Sequence, residues 1–168
     1  MERRLLAIYL NDHLAGATSG LELARRARGS NQGTELGHFL EALAKEIEAD
    51  RESLERIMAE LGIGRDRLKI AAAWGAEKVG RVKLNGSLLS YSPLSRVVEL
   101  DALHLGLTGK LILWQALEDA VGPHVGGEDL AALRERAERQ RAGLEPFRLA
   151  AARQAFGQEA IASSGAAS

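Results

Sequence analysis

The chain has no cysteine, only three prolines and two methionines, and 4% aromatic residues in 168. Without thiols there are no disulfides, no thiolate metal sites and no cysteine nucleophile. The same absence fits a reducing compartment, so the expected location is the cytoplasm. Aromatic and β-branched residues are sparse, and no stretch alternates as a half-buried strand would. An all-α protein is therefore expected. Neither sign of charge dominates: 22 basic against 23 acidic residues leave a net charge of -1. No global field draws nucleic acid or an anionic membrane, and neither is expected as a partner. The short run Arg25-Arg26-Ala27-Arg28 suits the negative end of a helix.

Long uninterrupted apolar runs are also missing. The greasiest stretch, Leu100 to Leu117, carries Asp101, His104 and Lys110, which marks a core helix, not a membrane span. The apolar start Leu5 to Leu10 is broken by Asn11-Asp12-His13, too early for the apolar region of a signal peptide. There is no Gly-x-Ser-x-Gly, phosphate loop, dinucleotide fingerprint or His-Glu-x-x-His, so no catalytic residue is expected from these signatures.

What is present is ordinary globular material, 46% hydrophobic and 27% charged, enough for one core. A single domain is expected over residues 1–156, with a flexible tail over 157–168. Turn residues divide the domain into helical segments. The first runs from about Glu2 to Arg28, before Gly29-Ser30-Asn31-Gln32-Gly33. The second runs from about Thr34 to Leu61, before Gly62-Ile63-Gly64. A shorter third spans about Asp66 to Leu84. Ser92-Pro93 is an N-cap and first-turn pair that opens a fourth, ending at Gly122-Pro123. The fifth follows Gly126-Gly127 and reaches about Phe156, with a kink or break expected near Gly143 because of Pro146.

Leu36, Leu40, Leu43, Ile47, Leu54, Ile57 and Leu61 alternate by threes and fours, the seam of a left-handed bundle. Asp50 is its one polar interruption. Matching stripes are Leu6, Leu10, Leu14, Ala17, Leu21 and Ala24 on the first helix, with His13 on the flank, and Leu130, Leu133, Ala137, Leu144, Phe147 and Ala151 on the fifth. The fourth helix has two apolar stripes, one through Leu100, Leu103, Leu107, Leu111 and Trp114 and one through Val98, Leu105 and Ile112. Burial on most sides is expected of it. Between the stripes runs a polar line of Asp101, His104, Thr108 and Gln115, while Glu99 and Lys110 are expected to meet water.

A buried carboxylate needs a partner, and Arg141 is the base expected beside Asp50. His104 is expected as a core histidine held by Asp101 or Thr108. His13 and Asp12 are neighbours pointing about 100° apart, so they are not expected to share one inward site. His124 is expected to be exposed, and Trp74 and Trp114 to serve packing.

Long helices in pairs, a connecting segment and polar residues at mid-stripe resemble the ferritin-like superfamily, nearest to its small YciF-like stress-associated bundles. The resemblance implies a four-helix bundle with a shorter helical crossover, residues 62–92, between the second and third core helices. A five-helix antiparallel bundle is the alternative. The superfamily's di-metal chemistry uses Glu-x-x-His pairs on core helices. Here Glu46 is followed at that spacing by Ala49, and Glu138 by Arg141, which cannot ligate iron. Asp50, Asp101 and His104 complete the residual metal candidates. The leading expectation is a bundle without a working di-metal centre or cofactor, in a binding, structural or stress-associated role with an unknown protein partner or as a homo-oligomer. Its rivals are an iron or manganese carboxylate protein and a carrier of an apolar small molecule.

Overall fold

The computed structural model describes residues 2–66 and 91–157. Four helices form among them: α1 (Arg3–Ser30), α2 (Glu35–Glu60), α3 (Pro93–Val121) and α4 (Leu130–Phe156). The all-α expectation holds, and the boundaries fall close to the turn residues. The expected short helix from about Asp66 to Leu84 lies outside the described residues apart from its first position, as do Trp74 and the tail beyond Gly157.

Each start has a local cause. Thr34 caps α2 by accepting from the Gly37 N–H at 3.1 Å. Ser92 caps α3 by accepting from Ser95 N–H, with Pro93 in the first turn, where it has no hydrogen bond to lose. Asp129 accepts from the N–H groups of Ala131 and Ala132 to open α4. Such caps each contribute about 1 kcal/mol. The α3–α4 connection holds a minimal antiparallel hairpin, β1 (His124–Val125) with β2 (Glu128–Asp129). Its turn residues Gly126 and Gly127 both have positive φ, +63° and +73°, the backbone a two-residue hairpin turn requires. Gly126 also passes against α2: a Cβ there would come within 2.7 Å of Ile57 backbone.

Pro146 does not break α4, which runs unbroken past it. The ring faces solvent, and Leu144, Phe147 and Ala151 pack into the core on the other side, outweighing the one hydrogen bond the proline forfeits. Gly143 has a packing role instead, since a Cβ there would meet the Phe39 ring at 2.9 Å.

The buried apolar residues form two clusters, and membership fixes the direction of every helix. One holds Leu10 and Leu14 of α1, Leu54 and Ile57 of α2, Trp114 and Leu117 of α3, and Leu130 and Ala137 of α4. The other holds Leu21 and Ala24, Leu40 and Ile47, Leu100 and Leu107, and Leu144 and Ala151. Thus α1 is antiparallel to α2 and α3 to α4, while α2 and α3 point the same way. The end of α2 and the start of α3 lie at opposite ends of the packed helices. At the α2 end, the buried Asn11 side chain donates to Gly64 C=O and accepts from Asp66 N–H. At the other, buried Asn31 donates to the Tyr91 hydroxyl at 3.0 Å. Each fully buried leucine in these clusters contributes roughly 1.5–3 kcal/mol.

The second stripe of α3 is not buried: Leu105 is 71% and Ile112 53% exposed, with Val98 also at the surface. Among the described helices, α1 and α4 flank α3 and leave that side open. No described helix is long and apolar enough to cross a membrane.

Candidate functional site

The two clusters meet at one layer. In α2, Asp50 stands between Ile47 and Leu54; in α3, Lys110 between Leu107 and Trp114; in α4, Gln140 between Ala137 and Leu144. All three occupy seam positions, spaced three or four from apolar neighbours. In α1 the matching position is Ala17.

Asp50 is 2% exposed. Its Oδ2 accepts from Lys110 Nζ at 2.5 Å and from Gln140 Nε2 at 3.2 Å, and its Oδ1 lies 2.5 Å from an Arg136 terminal nitrogen. Lys110 Nζ also donates to Gln140 Oε1, and Gln140 Nε2 reaches Glu46 at 2.7 Å. Burial pushes the Lys110 ammonium below its ordinary range, against the opposing pull of Asp50.

Several expectations are corrected here. Asp50 does have basic partners, but they are Lys110 and Arg136, not Arg141. The side chain at 141 is rotated about 100° past the seam position 140. Lys110 is largely withdrawn from water, its side chain only 12% exposed, because it fills a seam position. Glu99 is likewise drawn inward onto Arg26 at 3.0 Å. His104 is not held by Asp101 or Thr108. Its Nε2 lies 3.5 Å from Glu145 of α4, Asp101 pairs with Arg148 at 3.1 Å, and the Thr108 hydroxyl donates to the His104 main-chain carbonyl. That polar line is therefore an α3–α4 seam at the surface. Arg148 holds the Glu145 carboxyl below its usual range, with His104 and Arg141 adding smaller pulls.

The metal candidates are not gathered into one site: Glu46 and Asp50 approach each other only through the Gln140 amide that donates to both. Glu46 and Glu138 are exposed, Asp101 and His104 face other partners, and Asp50 is flanked by two cations. Among the described residues no three His, Asp or Glu side chains are grouped to hold a metal. An ammonium and a guanidinium on the buried Asp50 carboxylate repel a divalent ion, so the described residues around it do not fit a di-metal centre.

Where α1 contributes only the methyl of Ala17 to the layer, space remains. A cavity of about 330 Å³ lies between α1 and α3, with Gly16, Ala17 and Gly20 on one wall, Ala102, Gly106 and Gly109 on the other, and Asp50, Lys110 and Trp114 also lining it. Each of the four glycines lies within a helix, where glycine costs about 1 kcal/mol relative to alanine. Among the described residues nothing comes within 4 Å of where their Cβ atoms would be. Close packing against described residues therefore does not account for them, and they leave space between α1 and α3.

His13 and Asp12 both line this cavity, but Asp12 is exposed, so the two do not form one inward site. His13 is half-buried, set edge-on to Tyr9 with ring centroids 4.5 Å apart. Burial pushes its imidazole below the ordinary 6.5, partly opposed by Asp12. Trp114 is buried as expected, at 1% exposure, and its indole Nε1 has no hydrogen-bond acceptor among the described residues. His124 is exposed as expected.

The chain's own spacing carries the seam positions of both Lys110, expected to meet water, and Gln140, for which nothing was expected. Positions 103, 107, 110, 114 and 117 alternate by four and three, and so do 130, 133, 137, 140, 144 and 147. Lys110 and Gln140 fall in those series. No family model, curated protein or solved structure matches this chain.

Proposed function

We propose that this is a binding protein of ferritin-like arrangement in which a charged layer takes the place of a di-metal centre, and that it holds an apolar small molecule between α1 and α3. The arrangement is supported by two antiparallel helix pairs in which α2 and α3, consecutive among the described helices, run parallel, so that a long connection joins opposite ends. Lys110 and Arg136 on Asp50 support the loss of metal chemistry. The lack of cysteine supports a cytoplasmic setting.

The observation that carries the reading is the cavity itself, apolar over most of its wall and opened by facing glycines in α1 and α3. Its volume falls within the range of small-molecule sites, about 300–1,000 Å³. An engineered cavity of about 150 Å³ admits benzene, so this one has room for about twelve carbons. Native mass spectrometry after incubation with ten-carbon alcohols and acids tests it. One bound molecule per chain is expected, and none in Gly20→Leu/Gly109→Leu. No adduct with the unaltered protein, or an adduct that survives filling the cavity, would overturn the reading.

A further inference from the structure

The outward face of α3 lacks the charge that an outward helix face normally carries. That of α2 exposes Glu41, Lys45 and Glu52, and that of α4 exposes Glu135, Glu138 and Arg139. Between Leu94 and Ala116 of α3 no charged side chain is exposed. Arg96, Glu99, Asp101 and Lys110 turn instead to Gln154, Arg26, Arg148 and Asp50. What stands there is Val98, Ala102, Leu105, Gly109, Ile112 and Ala116, spaced alternately by four and three. That is a coiled-coil seam, on the side away from the core residues Leu103, Leu107 and Leu111.

The seam alternates large and small residues in a particular order. Counted outward from Leu107 in both directions, each large residue has a small one at the same distance: Leu105 with Gly109, Ile112 with Ala102, Val98 with Ala116. The next exposed pair, Leu94 with Ala120, follows the same order. A two-fold axis demands this, because an isologous contact uses one patch twice. Run antiparallel about Leu107, each bulky side chain of one copy meets a small residue of the other. An unrelated partner would place no such condition on the order within this chain.

We propose that α3 is a dimerisation helix, and that two copies of the chain pair antiparallel about Leu107 through this seam. The small residues let the helices approach closely, and the antiparallel run sets their dipoles in opposition. Beside the seam Asp101 faces Gln115 of the second copy and Thr108 faces its own counterpart, so no like charges meet. Ala102 and Gly109 also line the α1–α3 cavity, which places the second copy beside that space. A single helix pair is smaller than the roughly 1,200 Å² of a stable complex. The dimer is therefore expected to be concentration-dependent, with a dissociation constant on the order of 10 µM.

Sedimentation equilibrium of the full chain, from about 1 to about 200 µM, tests this. The mass is expected to rise from one chain to two across that range. Leu105→Glu puts a charge into the seam and is expected to stay monomeric throughout. At the dilute end it should melt as the unaltered protein does, so that lost pairing is not lost folding. Gly109→Leu sets leucine against leucine and is expected to weaken pairing about tenfold or more. Leu105→Ala/Gly109→Leu exchanges large and small and is expected to restore most of that loss. A chain that stays monomeric at the highest concentration would overturn the proposal, and leave the face to residues 67–90 or to an unrelated partner. A dimer that survives Leu105→Glu would overturn it by placing the contact elsewhere. Failure of the exchanged pair to recover dimerisation would overturn the antiparallel register.

Discussion

Lys110 of α3 and Asp50 of α2 are joined at 2.5 Å in a polar layer of the leucine-rich interior, with Arg136 closing on the carboxylate from α4. Breaking such a group and replacing it have opposite consequences. Asp50→Ala leaves Lys110 buried without its counter-charge and is expected to destabilise the fold by about 3–5 kcal/mol. Asp50→Leu/Lys110→Leu removes both charges, and half-exposed Arg136 can turn to solvent. That double variant is expected to be neutral or stabilised by about 1–4 kcal/mol. Urea titration measures both, and a loss below about 0.5 kcal/mol for Asp50→Ala would mean that the layer carries little energy.

The four cavity glycines give a second, independent measurement. Gly16→Ala, Gly20→Ala, Gly106→Ala and Gly109→Ala each add helix propensity into open space. Each is expected to stabilise by about 0.5–1 kcal/mol, read from thermal unfolding of the ligand-free protein. Destabilisation at all four would show that the space is filled.

Acid should act through His13. Its folded pKa lies below the ordinary 6.5 because burial disfavours the charged form. As pH falls below 6.5, the unfolded state therefore takes up more protons, and stability declines until the folded pKa is reached. Above 6.5 this contribution is constant. Proton NMR should place the His13 midpoint below 6.5, and His13→Gln should flatten the stability profile between pH 7 and 5. A midpoint at or above 6.5 would contradict the burial argument.

Much of the fold was legible because its signals are local. Thr34, Ser92-Pro93, Gly122 and Asp129 mark helix ends through their own side chains or backbone. Asp50 stood out because a carboxylate among leucines is conspicuous. Lys110 was assigned to water and Gln140 went unnoticed because such residues usually face solvent, although their seam spacing was there to be counted. The choice of Arg136 over Arg141 depends on the rotation of α4 against α2, and sequence spacing within one helix does not fix that. The α3 stripe of Val98, Leu105 and Ile112 misled for a related reason: apolar composition gives the capacity to be buried, and only neighbouring elements give the burial.

Leu105 offers the check on that last point. At 71% exposure, Leu105→Glu should change stability by less than about 0.5 kcal/mol, whereas Leu107→Glu, in the core, should prevent stable folding. Circular dichroism melts of the two variants separate the cases, and a large loss for Leu105→Glu would place that face in an interface.

Metal should leave the protein unmoved. With Lys110 and Arg136 on Asp50, millimolar manganese or iron(II) is expected to leave the melting temperature unchanged. Stoichiometric metal in protein grown on iron-supplemented medium, lost in Asp50→Ala or His104→Ala, would restore the di-metal reading.

The pairing of helices also bears on how the chain assembles. Asp50 belongs to the α1–α2 pair, while Lys110, Arg136 and Gln140 belong to α3–α4. Each pair is built from contacts near in sequence and can form early, with its charges still hydrated. If the pairs form first, those charges would lose their water only on docking, and the electrostatic cost and its compensation would both fall on that step. Asp50→Asn should then change the docking rate seen by stopped-flow fluorescence, while the rate at which helix appears stays the same.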